Sequence, residues 1–206
     1  MNQYLTSLFS SIFIDIDHLE NHYLTVDELD FLNNKLNSTR DFESDFYTDS
    51  LGSNLECLLL FLCKNKNLIT SIMQGNGTDQ DHIDLYTSTI ISGNYDCFRF
   101  DLNKFNKTYE SNSQLIKLYR IGRVGESLDS LGNSWSTNIE GLKAYYQASG
   151  LSENEIIRRP VFSTTVVDSE VLFEGNKQEG ELVLKPGFNH SGATILDTIL
   201  KKTLFK

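Results

Sequence analysis

The chain has 206 residues, of which 39% are hydrophobic and 11% aromatic, and it carries a formal net charge of -10 at pH 7. That length supports one domain with a sizeable core, or one domain with a smaller cap, and the composition excludes a disordered chain. The acidic balance argues against a protein that grips nucleic acid through its phosphate backbone, because such binding needs clustered Lys and Arg. Cys57, Cys63 and Cys97 are odd in number and form no Cys-x-x-Cys pair, as expected of reduced thiols in a cytosolic protein. The N-terminus lacks the basic segment of a signal peptide, and the most apolar run, 55–63, is far shorter than the ~20 residues a membrane-spanning helix needs. The expectation is a soluble cytoplasmic protein.

Leu5, Leu8, Phe9, Ile12, Phe13 and Ile16 recur at helical spacing and predict a first amphipathic helix. Thr25, with Glu28 three residues on, forms a capping box for a second helix whose buried side is Leu29, Leu32 and Leu36. The polar, acidic stretch 37–53 reads as a loop, and 54–64 as a buried helix. Gly75-Asn76-Gly77 reads as a turn. Thr78 or Asp79 then caps a helix carrying Ile83, Leu85, Tyr86, Ile90 and Ile91. Cys97-Phe98-Arg99-Phe100 suggests a short strand. The pattern thus divides into a mainly helical region, 1–95, and a β-rich region, 96–206, which together read as one α+β unit.

In the second region Leu115–Ile121 reads as a strand and 122–133 as a Gly-bearing loop. Trp135 to Thr137 lead into a helix over Ile139–Ala148, capped by Thr137 or Asn138 and stopped by Ser149-Gly150. Val161–Val167 is a β-branched strand, Val171-Leu172-Phe173 continues the apolar signal, Gly175-Asn176-Lys177-Gln178 is a turn, and Glu181–Leu184 is a strand ended by Pro186-Gly187.

Three features carry chemistry. Glu179-Gly180-Glu181 read as a strand entrance puts two carboxylates on one face, where a pair can stabilise a cationic sugar transition state and activate a nucleophile. Arg120, at a strand end before a Gly-bearing loop, offers a fixed fork of donors for phosphate. Ser136 sits in a helix-entry turn. Taken singly, each has a plainer reading: a solvated strand edge, a surface ion-pair partner, an ordinary turn residue.

Taken in order, Leu118-Tyr119-Arg120, Ser134-Trp135-Ser136-Thr137 and Glu179-Gly180-Glu181-Leu182-Val183-Leu184 resemble the Arg–Ser–Glu class of mono-ADP-ribosyltransferases, most of all the bacteriophage and toxin types. The likeness covers about a third of the chain. It implies a helical N-terminal cap followed by a split β-sandwich that clamps NAD as co-substrate, with no metal. Arg120 would hold the NAD phosphates or ribose, and the backbone at Ile121 and Gly122 would bind the nicotinamide amide. Ser136 would orient Glu181, whose carboxylate would stabilise the oxocarbenium ion as nicotinamide leaves. Glu179 would activate the acceptor, and residues 173–178 would recognise it. Trp135, Thr137 and Tyr146 would complete the NAD pocket, with Trp135 or Tyr146 as its shield. The implied acceptor is a macromolecule, by preference an arginine of a host protein, with nucleic acid left open. A non-enzymatic inhibitor on the same fold and an NAD glycohydrolase are the alternatives.

The chain departs from the family pattern where Ile121 separates Arg120 from Gly122 and where Asn138 takes the third Ser-Thr-Ser position. Phe162-Ser163-Thr164-Thr165 imitates the serine motif but lies too near Glu179 to leave room for the intervening helix and strand. Other signals are poorer. Ile121-Gly122-Arg123-Val124-Gly125 mimics a KH-domain Gly-x-x-Gly loop in the wrong context. There is no Gly-x-Gly-x-x-Gly or Walker motif. His18 and His22 are spaced as a metal pair without a third ligand nearby, and no Ser-His-Asp signature is present.

Overall fold

The Asn2 side chain accepts from the Leu5 amide and starts the first helix, α1 (Gln3–Ser11), which buries Leu5, Leu8 and Phe9. The helix ends five residues short of the end of the predicted apolar stripe, at Ile16, because Phe13 takes a left-handed backbone with φ 61°. Ile16 instead opens a separate short helix, α2 (Ile16–His18), capped by Asp15 and running into a π-turn at Leu19–Tyr23. The predicted Thr25–Glu28 capping box is present and starts α3 (Val26–Lys35). The segment expected to be a loop contains a one-turn helix, α4 (Thr39–Glu43), which Ser38 caps and which buries Phe42. Its cap pair, Ser38 and Asp41, also hydrogen bonds side chain to side chain at 2.9 Å.

This computed structural model describes residues 1–47, 53–88 and 98–196. Helix α5 (Ser53–Lys64) matches the predicted buried helix, with Leu55, Leu58, Leu59, Phe61 and Leu62 all inaccessible to water. It is followed by α6 (Lys66–Ser71), in a stretch that the sequence reading left unassigned, and a π-turn over Ile72–Asn76 closed by Gly75 at φ 83°. Thr78 caps α7 (Asp79–Thr87) through a capping box with Asp81. Ile90, Ile91 and Cys97 lie outside the described residues, and Phe100 of the proposed short strand makes a single bridge to Ile14. Among the described residues no helix is long and apolar enough to cross a membrane.

The chain divides into two compact units, 1–105 and 106–206, ten residues beyond the predicted change of pattern. Among its described residues the first is all-helical apart from that bridge, and its core joins α1, α3, α5 and the aromatic residues Phe61 and Phe98, whose ring centroids are 4.8 Å apart. The units differ in charge. Residues 1–105 hold 16 acidic and 6 basic residues, a balance of -10, whereas residues 106–206 hold 12 of each.

The second unit is built on one six-stranded antiparallel sheet in the order β4-β5-β2-β1-β3-β6. Strands β1 (Leu115–Ile121), β3 (Val161–Val167) and β5 (Glu181–Leu184) have the predicted bounds. They are joined by β2 (Ser134–Ser136), β4 (Val171–Glu174) and β6 (Thr194–Ile195). The α+β class stands, but the two-sheet sandwich expected of the core is, among the described residues, a single hydrogen-bonded sheet. Helix α8 (Ile139–Ala148) follows β2 as predicted, with Asn138 as its cap. A short α9 (Glu153–Arg158), missed in the sequence, is started by a Ser152–Glu155 capping box. One face of the sheet packs Leu118, Trp135, Phe162, Leu182 and Leu184 together, and Ile121, Leu142 and Val161 form a second cluster.

Candidate functional site

Strand order brings the three sequence segments together. Tyr119 pairs with Ser136, and Ser136 pairs in turn with Glu181, so the Arg, Ser and Glu motifs lie on three adjacent strands, β1, β2 and β5. Side chains alternate along a strand, so Ser134, Ser136 and Glu181 share one face while Arg120, one residue beyond Tyr119, belongs to the other. Arg120 therefore reaches the site through its neighbour. Its Nη1 donates to the Ser134 carbonyl at 2.9 Å, and among the described residues it bonds neither Glu179 nor Glu181.

The serine on the Glu181 carboxylate is not the predicted one. Ser134 Oγ donates to Glu181 Oε1, and the Asn176 amide donates to Oε2 at 2.8 Å. Ser136 Oγ lies instead 2.7 Å from the Glu179 carbonyl and 2.8 Å from that of Asn138, so its one proton serves the backbone of the turn and not Glu181. Thr137, expected against NAD, also fastens this turn: its amide and hydroxyl reach the Gly180 carbonyl at 3.0 and 3.2 Å.

Glu179 and Glu181 are not two residues of one strand, contrary to the sequence expectation. Glu179 ends a 3-10 turn at Lys177–Glu179, Gly180 turns left-handed with φ 55°, and only Glu181 enters β5. The carboxylates still converge, because Asn176 holds both. Its Nδ2 donates to Glu179 Oε1 at 3.0 Å while its backbone holds Glu181. Burial, and secondly the Glu181 charge, push the Glu179 carboxyl up from 4.5 to about 7. Two glycines make room. A Cβ at Gly175 would overlap the Glu181 carboxylate, and one at Gly141 in α8 would overlap the Glu179 carbonyl and the Ser136 hydroxyl.

The raised group gives a stability signature. A carboxyl whose folded value lies above its unfolded one binds an extra proton when folded, so its contribution is fully present below pH 4.5 and is lost as pH rises through about 7. The full shift would be worth about 3 kcal/mol, and solvent screening at a half-exposed group cuts this to about 1 kcal/mol. Glu179→Gln is therefore expected to flatten the fall in denaturation free energy between pH 5 and pH 8. An unchanged slope in urea titrations would show that Glu179 is not the group responsible.

Arg120 is held by a residue that sequence reading passed over. Its Nε and Nη2 donate to the two carboxylate oxygens of Glu126 at 2.9 and 3.2 Å, with side-chain exposures of 14% and 7%. The same carboxylate accepts from the backbone amides of Arg123 (2.7 Å) and Gly132 (2.8 Å), folding the 122–133 loop around one charge. Burial alone would raise the Glu126 carboxyl, but its bonds to Arg120 and to these amides hold it below the usual range. Gly132 lies so close to the guanidinium that a Cβ there would overlap it.

The remaining predicted pocket residues are placed differently from expectation. The Gly122 amide already donates to the Pro160 carbonyl at 2.8 Å, and a Cβ on Gly122 would lie 2.5 Å from the Phe162 ring. Ile121 is buried in the second cluster, with Tyr146 packed against it. Trp135 is fully buried, donates to the Gly132 carbonyl at 2.8 Å and meets Phe188 edge-on, so it is a core residue and not a shield over a pocket. Ser163 is a strand residue whose hydroxyl lies 3.1 Å from that of Thr194. Among the described residues no three His, Cys, Asp or Glu side chains are placed to share a metal ion.

No family model, curated protein or solved structure matches the chain. The site is therefore judged on its geometry. Of the missed residues, Ser134 had a signal: two serines two apart beside a tryptophan is a strand alternation, which reading the segment as a turn concealed.

Proposed function

We propose that this protein is a mono-ADP-ribosyltransferase that transfers ADP-ribose from NAD to a macromolecular acceptor, by preference an arginine side chain of a host protein, and releases nicotinamide. The observation that carries the reading is the serine-held glutamate, Ser134–Glu181, beside a second carboxyl, Glu179, raised to about 7. In this reading the bond between ribose C1′ and the nicotinamide nitrogen breaks, and nicotinamide leaves with the electron pair. Glu181, fixed by Ser134 and the Asn176 amide, stabilises the resulting oxocarbenium ion. The acceptor nitrogen then attacks C1′ while Glu179 takes its proton, a task suited to a base poised near neutrality. Arg120 supplies positive charge for the NAD phosphates through the two guanidinium N–H groups that have no partner among the described residues. The acidity of the chain favours a basic protein surface as acceptor.

One observation favours a second reading, a binding protein without turnover: the Arg120 fork already holds Glu126, so the charge meant for a phosphate is matched in place. Two measurements separate them. Under the transferase reading NAD at a hundred times its Kd stabilises the fold by about 2.7 kcal/mol, read as a rise in Tm. Labelled NAD incubated with host lysate also marks a discrete band and frees nicotinamide. Nicotinamide without a labelled band would assign the glycohydrolase reaction. Neither a Tm shift nor nicotinamide would leave the binding protein.

A further inference from the structure

Asn176 lies in the turn between β4 and β5, outside the Arg, Ser and Glu motifs, yet every one of its polar groups is used. Its backbone amide donates to Glu181 Oε2 at 2.8 Å and its Nδ2 to Glu179 Oε1 at 3.0 Å. Its Oδ1 accepts from the Gln178 amide at 2.9 Å. Its carbonyl accepts from the amides of Glu179 at 3.2 Å and Glu181 at 3.0 Å. The orientation of the side-chain amide follows from this pattern: a flip would set oxygen against the Glu179 carboxylate and NH2 against the Gln178 N–H.

We propose that Asn176 is the positioning residue of the carboxylate pair, its side chain holding Glu179 and its main chain holding Glu181, so that the two acids are set independently. The proposal rests on the transferase reading for its catalytic consequence but not for its structural one. Three donors act on the pair, and they are unequal. Glu181 has a backbone amide and the Ser134 hydroxyl, neither of which depends on the Asn176 side chain. Glu179 has only Asn176 Nδ2 as a side-chain donor among the described residues, in a half-buried place where the Glu181 charge opposes its ionisation. A hydrogen bond to the ionised form favours that form, so Nδ2 keeps Glu179 available as a base. The split predicts that losing the side chain damages the acceptor-activating step more than the release of nicotinamide.

The test uses Asn176→Ala and Asn176→Asp in the full-length chain. The aspartate variant keeps the Oδ1 acceptor that caps the 177–179 turn, so it guards against a loss of folding in the alanine variant. Because it also sets a like charge beside Glu179, the Glu179 shift it causes should exceed that of the alanine variant, which removes the donor without adding charge. Carbon-detected NMR of glutamate carboxyls should show Glu179 titrating at higher pH in both variants than in the wild type. The fraction of released nicotinamide that ends as transferred ADP-ribose should fall about tenfold, a modest part of what a positioned base contributes. An unmoved Glu179 titration overturns the proposal. So does an equal fall in nicotinamide release and transfer, which is the mark of a merely structural residue. If the wild type releases no nicotinamide, the transferase reading fails, and the NMR titration by itself upholds or overturns the positioning role.

Discussion

Under the proposed transferase reading, Glu181→Gln is expected to lower ADP-ribose transfer by at least ~10³-fold while leaving the fold intact. The loss is large because a carboxylate facing a developing cation acts mainly in the transition state, and a neutral amide of the same shape offers no charge there. The fold should survive because Glu181 is held at its oxygens by Ser134 and the Asn176 amide, and glutamine can keep one of those acceptors. Gly175, where a Cβ would strike the carboxylate, leaves the space unchanged in the variant. The measurement is nicotinamide release and transfer under saturating NAD, beside a Tm within a few degrees of wild type. Retention of more than a tenth of the wild-type rate would remove Glu181 from the catalytic role.

Glu126→Ala should be the most destabilising substitution near the site, costing about 3–5 kcal/mol, because it leaves the Arg120 guanidinium largely buried without its counter-charge. It also removes the carboxylate that accepts from the backbone amides of Arg123 and Gly132 and closes the loop. The sign with pH is fixed. A carboxyl held below its unfolded value contributes stability above about pH 4.5, and that contribution is lost as pH falls through its folded value. The gap between wild type and variant should thus be widest at neutral pH and close in acid. The double variant Arg120→Leu with Glu126→Ala should recover much of the loss, since no charge is then stranded. A double variant as unstable as the sum of the two singles would show that the pair does not act as a unit.

How much of this was legible follows from the range of each interaction. Strands β1, β3 and β5 and helix α8 were readable to the residue, because β-branched runs, a left-handed Gly150 and the Asn138 cap are local signals. Helices α4 and α9 carried equally local signals, in Ser38 with Asp41 and Ser152 with Glu155, but each was hidden by its polar surroundings. The site was harder. The order of Arg120, Ser136 and Glu181 was visible, whereas which serine meets the glutamate depends on strand register, and Ser134 was passed over for Ser136. Glu126 was invisible for a different reason. In a chain with 28 acidic residues nothing marks the one around which a loop closes. The two-carboxylate reading was right about convergence and wrong about its cause, a turn and Asn176 in place of strand alternation.

The uneven division of charge has a practical side. All of the excess negative charge resides in 1–105, and 106–206 is balanced at neutral pH. Colloidal repulsion grows with net charge and is felt over a Debye length of about 8 Å at physiological ionic strength. The half that carries the Arg, Ser and Glu residues therefore contributes almost nothing to keeping copies of the protein apart in solution. Electrostatically, the helical half is the carrier, and a fragment reduced to the sheet would be expected to precipitate near pH 7 at concentrations that the whole chain tolerates.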